Sequence, residues 1–201
     1  TAFLKTYYKE DFIAATMSTE LTNTSKLREF IEELKKLKIE IIKPSINKCY
    51  SDFKAINGKI IYGLGAIKNV GFEAISNIID EREKNGKFKS FSNFINRVNS
   101  KDVNKLQLEG LVKAGVFDEF IKDRNKILSS IPKIIQKIKV INDDKYNRQS
   151  NLFGNQENDQ EEFDFLPSAP WSQKELLSQE FKSVGFYLTN HPLNEFEDVF
   201  N

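Results

Sequence analysis

The sequence predicts a mainly α-helical chain, with one small β-hairpin leading into a tandem helix–hairpin–helix bundle. Three observations predict it. Apolar residues recur at spacings of three and four through most of the 201 residues. Asn57-Gly58, the strongest short hairpin signal, stands between two short β-rich runs. Helix–turn–helix patterns closed by Gly, Asn and Asp occur twice, about 35 residues apart.

The elements follow in order. Residues 1–17 place Phe3, Leu4, Tyr7, Tyr8, Phe12 and Ile13 at helical spacing, available for burial. Thr24 or Ser25 caps a second helix whose stripe is Leu27, Phe30, Ile31, Leu34 and Leu37, with Lys and Glu on a solvated opposite face. Ile39-Glu40-Ile41-Ile42 reads as strand and ends before Pro44, which disfavours regular structure at Lys43. Residues 53–56 and 59–62 flank Asn57-Gly58 as the two arms of a hairpin.

Next comes Tyr62-Gly63-Leu64-Gly65-Ala66-Ile67-Lys68-Asn69-Val70-Gly71, followed by a helical run from Phe72 that stops at Asn85-Gly86. It reads as two helices joined by a tight glycine hairpin, with Gly71 at the entrance to the second. A second unit has Phe91, Phe94, Ile95 and Val98 as its apolar face and Asn99-Ser100-Lys101-Asp102 as its turn. Asn104 and Gln107 have capping-box spacing, opening a helix through Leu108, Leu111 and Val112 to Gly115. Val116, Phe117 and Phe120 tuck back onto it, so the two units pack as one four-helix body.

A longer helix spans Arg124 to about Lys139, with Pro132 kinking or dividing it. Residues 142–170 are polar and acidic and read as a linker or mobile loop, with Gln149-Ser150-Asn151-Leu152-Phe153-Gly154 as an apolar island. Ser172 and Glu175 form a second capping box, opening a helix through Leu176, Leu177, Phe181 and Val184 to Gly185.

The chemistry is narrow. A helix start offers N–H groups without intrahelical partners and the positive end of the macrodipole, and glycine lets backbone approach a ligand closely. The Gly63–Gly71 hairpin is therefore a phosphate-binding surface, and a bulky residue at Gly71 is expected to damage both hairpin and helix start. The competing reading is a packing turn whose glycines only permit close approach. Three details favour DNA backbone: Lys68 on the hairpin, two basic units in tandem, and Lys101, Lys105 and Lys113 around the second turn. The net charge of +1 hides a partition, since residues 1–150 carry +9 and residues 151–201 carry −8. A basic body suits a polyanion, and an acidic tail faces elsewhere.

Other chemistry drops out. Lys68 stands where G-x-G-x-x-G needs its third glycine, and no Gly-Lys-Ser/Thr loop is present. No H-x-x-x-H pair or clustered metal ligands appear, and Asp143-Asp144 reads as solvated. The single Cys49 excludes an internal disulfide and fits a reducing compartment. With the lone His191 it could form a thiol nucleophile, but it reads as an ordinary strand or loop cysteine. No apolar run approaches the roughly 20 residues a membrane span needs, and no signal peptide opens the chain. Opening at Thr1 without methionine, the sequence reads as a piece of something longer.

Several runs in series carry a resemblance: residues 2–47 (AFLKTYYKEDFIAATMSTEL onward), DFKAINGKIIYGLGAIKNVG, FKSFSNFINRVN, VNKLQLEGLVKAGVFDEF and SQKELLSQEFKSVGFYLTNHPLNEFED. They resemble the alpha subunits of bacterial DNA polymerase III across the fingers domain and the helix–hairpin–helix behind it. Gln149-x-x-Leu152-Phe153-Gly154 looks like that family's QxSLFG. The resemblance implies template-directed DNA synthesis in chromosome replication, with metal-binding palm aspartates upstream and Mg2+ as the cofactor of the full-length enzyme. No carboxylate of this chain matches those aspartates, so the implied fragment has no catalytic residue, metal site or cofactor of its own.

It implies residues 1–62 as the C-terminal part of the fingers, 63–120 as the tandem DNA-binding segment and 121–141 as a connecting helix. Residues 142–170 are then an acidic linker and 171–201 the helical start of the following region. The implied DNA-binding residues are Gly63, Gly65, Lys68, Asn69, Val70 and Gly71 on the first hairpin, and Lys101, Asn104 and Lys105 around the second. The implied partners are duplex DNA, deoxynucleoside triphosphates in the full enzyme, and the sliding clamp and other replisome subunits through regions outside this chain. The implied location is the cytoplasm, with no membrane contact. The alternative from another class is a non-enzymatic helix–hairpin–helix DNA-binding or scaffold module.

Overall fold

Residues 7–148 and 162–188 are described by the computed structural model, and they are mainly helical. Helix α1 (Lys9–Thr19) buries Ile13, Ala14 and Met17. Tyr7 and Tyr8 are exposed, contrary to the burial their spacing suggests; Tyr8 is the N-cap of α1. Phe3 and Leu4 lie outside the described residues. Helix α2 (Thr24–Lys36) buries Leu27, Ile31 and Leu34, one heptad stripe. Its cap is Asn23, one residue before the expected Thr24 or Ser25, with Oδ1 accepting the Lys26 N–H at 3.2 Å.

The sheet has three strands in the order β1-β3-β2. β2 (Lys54–Ile56) and β3 (Lys59–Ile61) form the expected antiparallel hairpin, with positive φ at both Asn57 (52°) and Gly58 (73°), the backbone that an Asn-Gly turn favours. β1 (Ile41–Ile42) lies parallel to β3, pairing Ile41 with Ile60 and Ile42 with Ile61. The loop from 43 to 53 is tied down from outside: the Arg82 guanidinium, 3% exposed, donates to the carbonyls of Ile46 and Cys49 at 2.8 and 2.6 Å. A buried cation with carbonyl partners at this spacing locks one loop geometry, since leaving it unpaired would cost several kcal/mol.

β3 passes into one 3₁₀ turn, Leu64–Ala66, where the sequence suggests a helix. That turn is wedged against the 51–53 backbone, with Leu64 N–H on Tyr50 O and Gly65 N–H on Ser51 O, both at 2.8 Å. α3 (Phe72–Asn85) follows and ends at Gly86, φ 81°. α4 (Phe91–Arg97) is capped by Ser90, and α5 (Lys105–Lys113) by Asn104. Phe88, Phe91, Phe94 and Phe117 meet edge-on beneath them, with ring centroids 4.9–5.3 Å apart for 88–94, 91–117 and 94–117. This cluster gives the phenylalanine-rich composition a physical use.

α6 (Arg124–Arg148) passes through Pro132 without dividing. Ile127, Ile131, Ile134 and Ile138 form its buried ladder, while Pro132 sits on the exposed side, where the Leu128 carbonyl it leaves unbonded can face water. The helix runs beyond the expected Lys139 because its last turns find partners. Asn142 Nδ2 donates to Val98 O at 3.2 Å and Lys145 Nζ to Asn96 O at 2.6 Å. The described end of the expected linker, residues 162–166, is a strap on α4 and α6. Phe163 is buried and its N–H donates to Ser92 Oγ (2.8 Å), as the Leu166 N–H does to Ser130 Oγ (2.9 Å). The apolar island 149–154 lies outside the described residues.

α7 (Gln173–Val184) starts at the predicted Ser172–Glu175 capping box and ends at left-handed Gly185. It packs on α5. Beyond it, Phe186 lies 6.5 Å ring to ring from buried Tyr62, so the tail of α7 reaches the sheet. Glu180, 1% exposed, faces the Arg124 guanidinium at 3.6 Å and accepts the Leu188 N–H at 2.9 Å.

Candidate nucleic-acid interface

The first hairpin is residues 67–71. Asn69 takes a left-handed φ of 65°, which a short Asx side chain tolerates, and this turns the chain back toward α3. Lys68, Asn69 and Gly71 are exposed, while Val70 is buried beneath them as the anchor. Gly63 and Gly65 stand behind this surface. A Cβ at Gly63 would lie 2.8 Å from Asp52 C and Phe53 N, and one at Gly65 would lie 2.7 Å from Ser51 O. Their lack of a side chain serves close packing of backbone on backbone.

At Gly71 the situation is reversed. A Cβ there would meet only Ala74 Cβ, at 3.9 Å, and φ is −71°, so the position accepts a side chain and the damage expected of a bulky residue does not follow. No side chain caps α3, which leaves the N–H groups of its first turn to solvent or to a ligand. Glu73 shares that turn.

The second hairpin is residues 98–104. Lys101, Asn104 and Lys105 are exposed, and Val103 is the buried anchor. The N-caps Gly71 and Asn104 are 33 residues apart. At that same offset Lys68 matches Lys101, Val70 matches Val103, Ile75 matches Leu108, and Ile78 and Ile79 match Leu111 and Val112. All eight of these apolar residues are buried. The contacts between units are reciprocal. A Cβ on Gly110 of α5 would lie 2.5 Å from Lys68 O in the first hairpin, and Asn77 Nδ2 of α3 donates to Asp102 Oδ1 in the second at 2.8 Å. Gly110 and Asn77 are themselves 33 residues apart. Each unit thus touches the other's hairpin from the same place on its own second helix, the pattern of an isologous contact.

The backbone amides are less free than the sequence suggests. Lys68 N–H donates to Ser183 O at the end of α7 (2.9 Å), and Val70 N–H to Ile67 O (3.2 Å). In the second hairpin Ser100 N–H donates to Asn142 Oδ1 (3.2 Å), Lys101 N–H to Asn99 Oδ1 (2.9 Å) and Asp102 N–H to Asn99 O (3.0 Å). Asn104 Oδ1 accepts the Gln107 N–H at 2.9 Å without the reciprocal bond of a full capping box, and buried Gln107 Nε2 has no partner among the described residues. What these surfaces present outward is side-chain charge from Lys68, Lys101 and Lys105 and the open first turn of α3.

Sequence reasoning misses two exposed apolar residues beside the lysines, Phe72 at the start of α3 and Leu106 in the first turn of α5. Their positions just after the two caps are the signal that could find them. It also misses the contribution of α6 and α7, which reach the hairpins only through the tertiary fold.

Elsewhere the described residues offer little chemistry. Cys49 is fully buried, its thiol donates to Lys43 O at 3.3 Å, and burial pushes its pKa up to about 11, so it is no thiolate nucleophile at neutral pH. His191 lies outside the described residues. Among the described residues no cluster of three His, Cys, Asp or Glu could hold a metal, and no helix is long and apolar enough to cross a membrane.

Residues 38–127 match the family model of the helix-hairpin-helix motif. Over 98% of its length the chain is 39% identical to the DNA polymerase III subunit alpha of Borreliella burgdorferi. It is 36% identical to that of Campylobacter jejuni over its full length, and 36% to that of Caulobacter vibrioides over 97%. The chain spans 17% of the length of each of these relatives.

Proposed function

Because the chain is homologous to one segment of the DNA polymerase III alpha subunits, we propose that it serves a replicative DNA polymerase as the segment that grips the product duplex. Residues 1–62 form part of the fingers, and residues 63–120 hold the duplex backbone behind the active site. The observation that carries this reading is the repeated hairpin, two reciprocal units with exposed lysines at one offset. A duplex presents two antiparallel phosphate backbones, and two hairpins in isologous contact can meet them alike.

Lys68, Asn69, Gly71 and the open first turn of α3 take a phosphate of one strand, where the helix macrodipole adds to the lysine charge. Lys101, Lys105 and the Asn104 side of the second hairpin take a phosphate of the other. Val70, Gly63 and Gly65 hold the first hairpin in shape from behind. Phosphate contacts fix register without reading bases, which suits an enzyme that must copy any template. The acidic balance of residues 151–201 is repelled by the same polyanion and leaves the grip to the basic body.

The chemical step belongs to the parent polymerase. Magnesium bound by carboxylates would supply it there, and the described residues hold no cluster of ligands that fits such an ion. Deoxynucleoside triphosphates, the sliding clamp and the other replisome subunits are partners of the cytoplasmic parent enzyme.

Fluorescence anisotropy of this chain on unrelated duplexes, across a salt series, tests the reading. The expected result is sequence-indifferent binding of roughly micromolar affinity or weaker at physiological salt, falling linearly in log–log form as salt rises. Lys68→Glu with Lys105→Glu should abolish it. Absence of binding even at low salt would overturn the duplex grip.

A further inference from the structure

The second hairpin has a feature that its own sequence does not supply. Asn142, near the far end of α6, reaches it with both ends of its side-chain amide. Oδ1 accepts the Ser100 N–H at 3.2 Å, while Nδ2 donates to Val98 O at 3.2 Å and to Ile138 O of its own helix at 2.8 Å. One side chain therefore bridges both sides of the bend between Val98 and Ser100 and ties it to α6. Lys145, one turn further on, donates to Asn96 O at 2.6 Å and holds the end of α4 to the same helix.

Resting on the duplex-grip reading, we infer that Asn142 is a positioning residue of that grip: it fixes the bend that aims Lys101 and Lys105 at the phosphate backbone. The bend needs such a brace. Asn99 turns it locally, with Oδ1 accepting from Lys101 N–H and the carbonyl accepting from Asp102 N–H. Those bonds shape the turn without fixing its direction relative to the bundle. Among the described residues only Asn142 joins the turn's backbone to a helix outside the repeat, because Asp102 is reached from α3 through its side chain. The first hairpin has its counterpart brace in α7, where Ser183 O accepts the Lys68 N–H. Both hairpins are thus held at a loop amide by an element outside the motif. Asn142 does this with a side chain, so it can be removed without touching the backbone.

The test uses the whole chain. Asn142→Ala and Asn142→Leu are compared with wild type for duplex affinity across the salt series, for thermal melting, and for hydrogen exchange at the Ser100 amide. Leucine keeps the branching of asparagine and favours helix more than asparagine does, so the comparison does not hang on the alanine variant folding. Both variants should bind roughly threefold to tenfold more weakly, the scale of one lost hydrogen bond, with a salt slope flatter than wild type because Lys101 and Lys105 no longer meet their phosphates squarely. Ser100 exchange should quicken in both. Variants that melt lower but bind duplex as wild type does would overturn the positioning role and leave the duplex grip standing. Weaker binding with a salt slope parallel to wild type would also overturn it, since the loss would then come from an uncharged contact and not from the aim of the lysines. Wild type that fails to bind duplex at low salt would overturn the grip and this role together.

Discussion

The two hairpins share a 33-residue offset, a buried valine and an exposed lysine, yet they are finished differently. The first opens into α3 through Gly71, with no side-chain cap, and is braced by a main-chain carbonyl of α7. The second opens into α5 through Asn104, which spends its side chain on Gln107 N–H, and is braced by the Asn142 side chain. The repeat therefore governs packing, where Ile75 and Leu108 fill equivalent places, while the chemistry of each helix start is set separately. A symmetric fold can in this way carry one uncapped helix start and one internally satisfied one, with lysine charge common to both.

The largest test of that separation is in the core. Ile75→Ala and Leu108→Ala remove fully buried side chains at matching positions, and each should cost about 2–5 kcal/mol in urea unfolding. Similar costs would confirm that the units are energetic equivalents; a clear inequality would break the equivalence at the level of packing. Gly110→Ala comes next, because its Cβ would lie 2.5 Å from the Lys68 carbonyl oxygen, which is backbone and cannot swing aside. A loss of about 1–3 kcal/mol is expected from overpacking, with shifts in the Lys68 and Asn69 amide resonances of the first hairpin.

The caps should differ more subtly. Asn104→Ala should lower stability by about 1 kcal/mol through the lost bond to Gln107 N–H, read from the thermal midpoint. Gly71→Asp should be the smallest change in stability, a gain of about a few tenths of a kcal/mol as the carboxylate caps α3. The same substitution should weaken duplex binding by filling the open helix start with negative charge. If Gly71→Asp binds duplex as tightly as wild type, the open site is not where phosphate sits.

Much of this arrangement is legible in the sequence because it rests on local signals. Asn57-Gly58, the stop at Gly86, the Ser172–Glu175 box and the apolar faces of both units all appear where periodicity and turn chemistry place them. The failures are non-local. β1 is two residues long and is held by Glu40 O and Ile42 O accepting from β3, a parallel pairing that no nearby residue announces. The first helix of the first motif contracts to a 3₁₀ turn because Gly63 and Gly65 press against the 51–53 backbone. α6 outlasts its apolar period because Asn142 and Lys145 find carbonyls more than forty residues away in sequence. The site residues divide in the same way: charge and turns can be read directly, but whether an amide is free depends on distant partners such as Ser183.

The bond between Lys68 N–H and Ser183 O has a mechanical consequence. Ser183 lies in the last turn of α7, and the chain leaves that helix through Gly185 to the Glu180–Leu188 and Tyr62–Phe186 contacts. A pull along α7 is therefore delivered straight to the tip of the first hairpin, through one 2.9 Å link. The second hairpin has no such direct bond to α7 among the described contacts and receives that load through α5 and through α6, which the Arg124–Glu180 pair joins to α7. On the proposed duplex grip, tension arriving from this side would loosen the first hairpin's hold before the second's, so that the pair lets go in sequence.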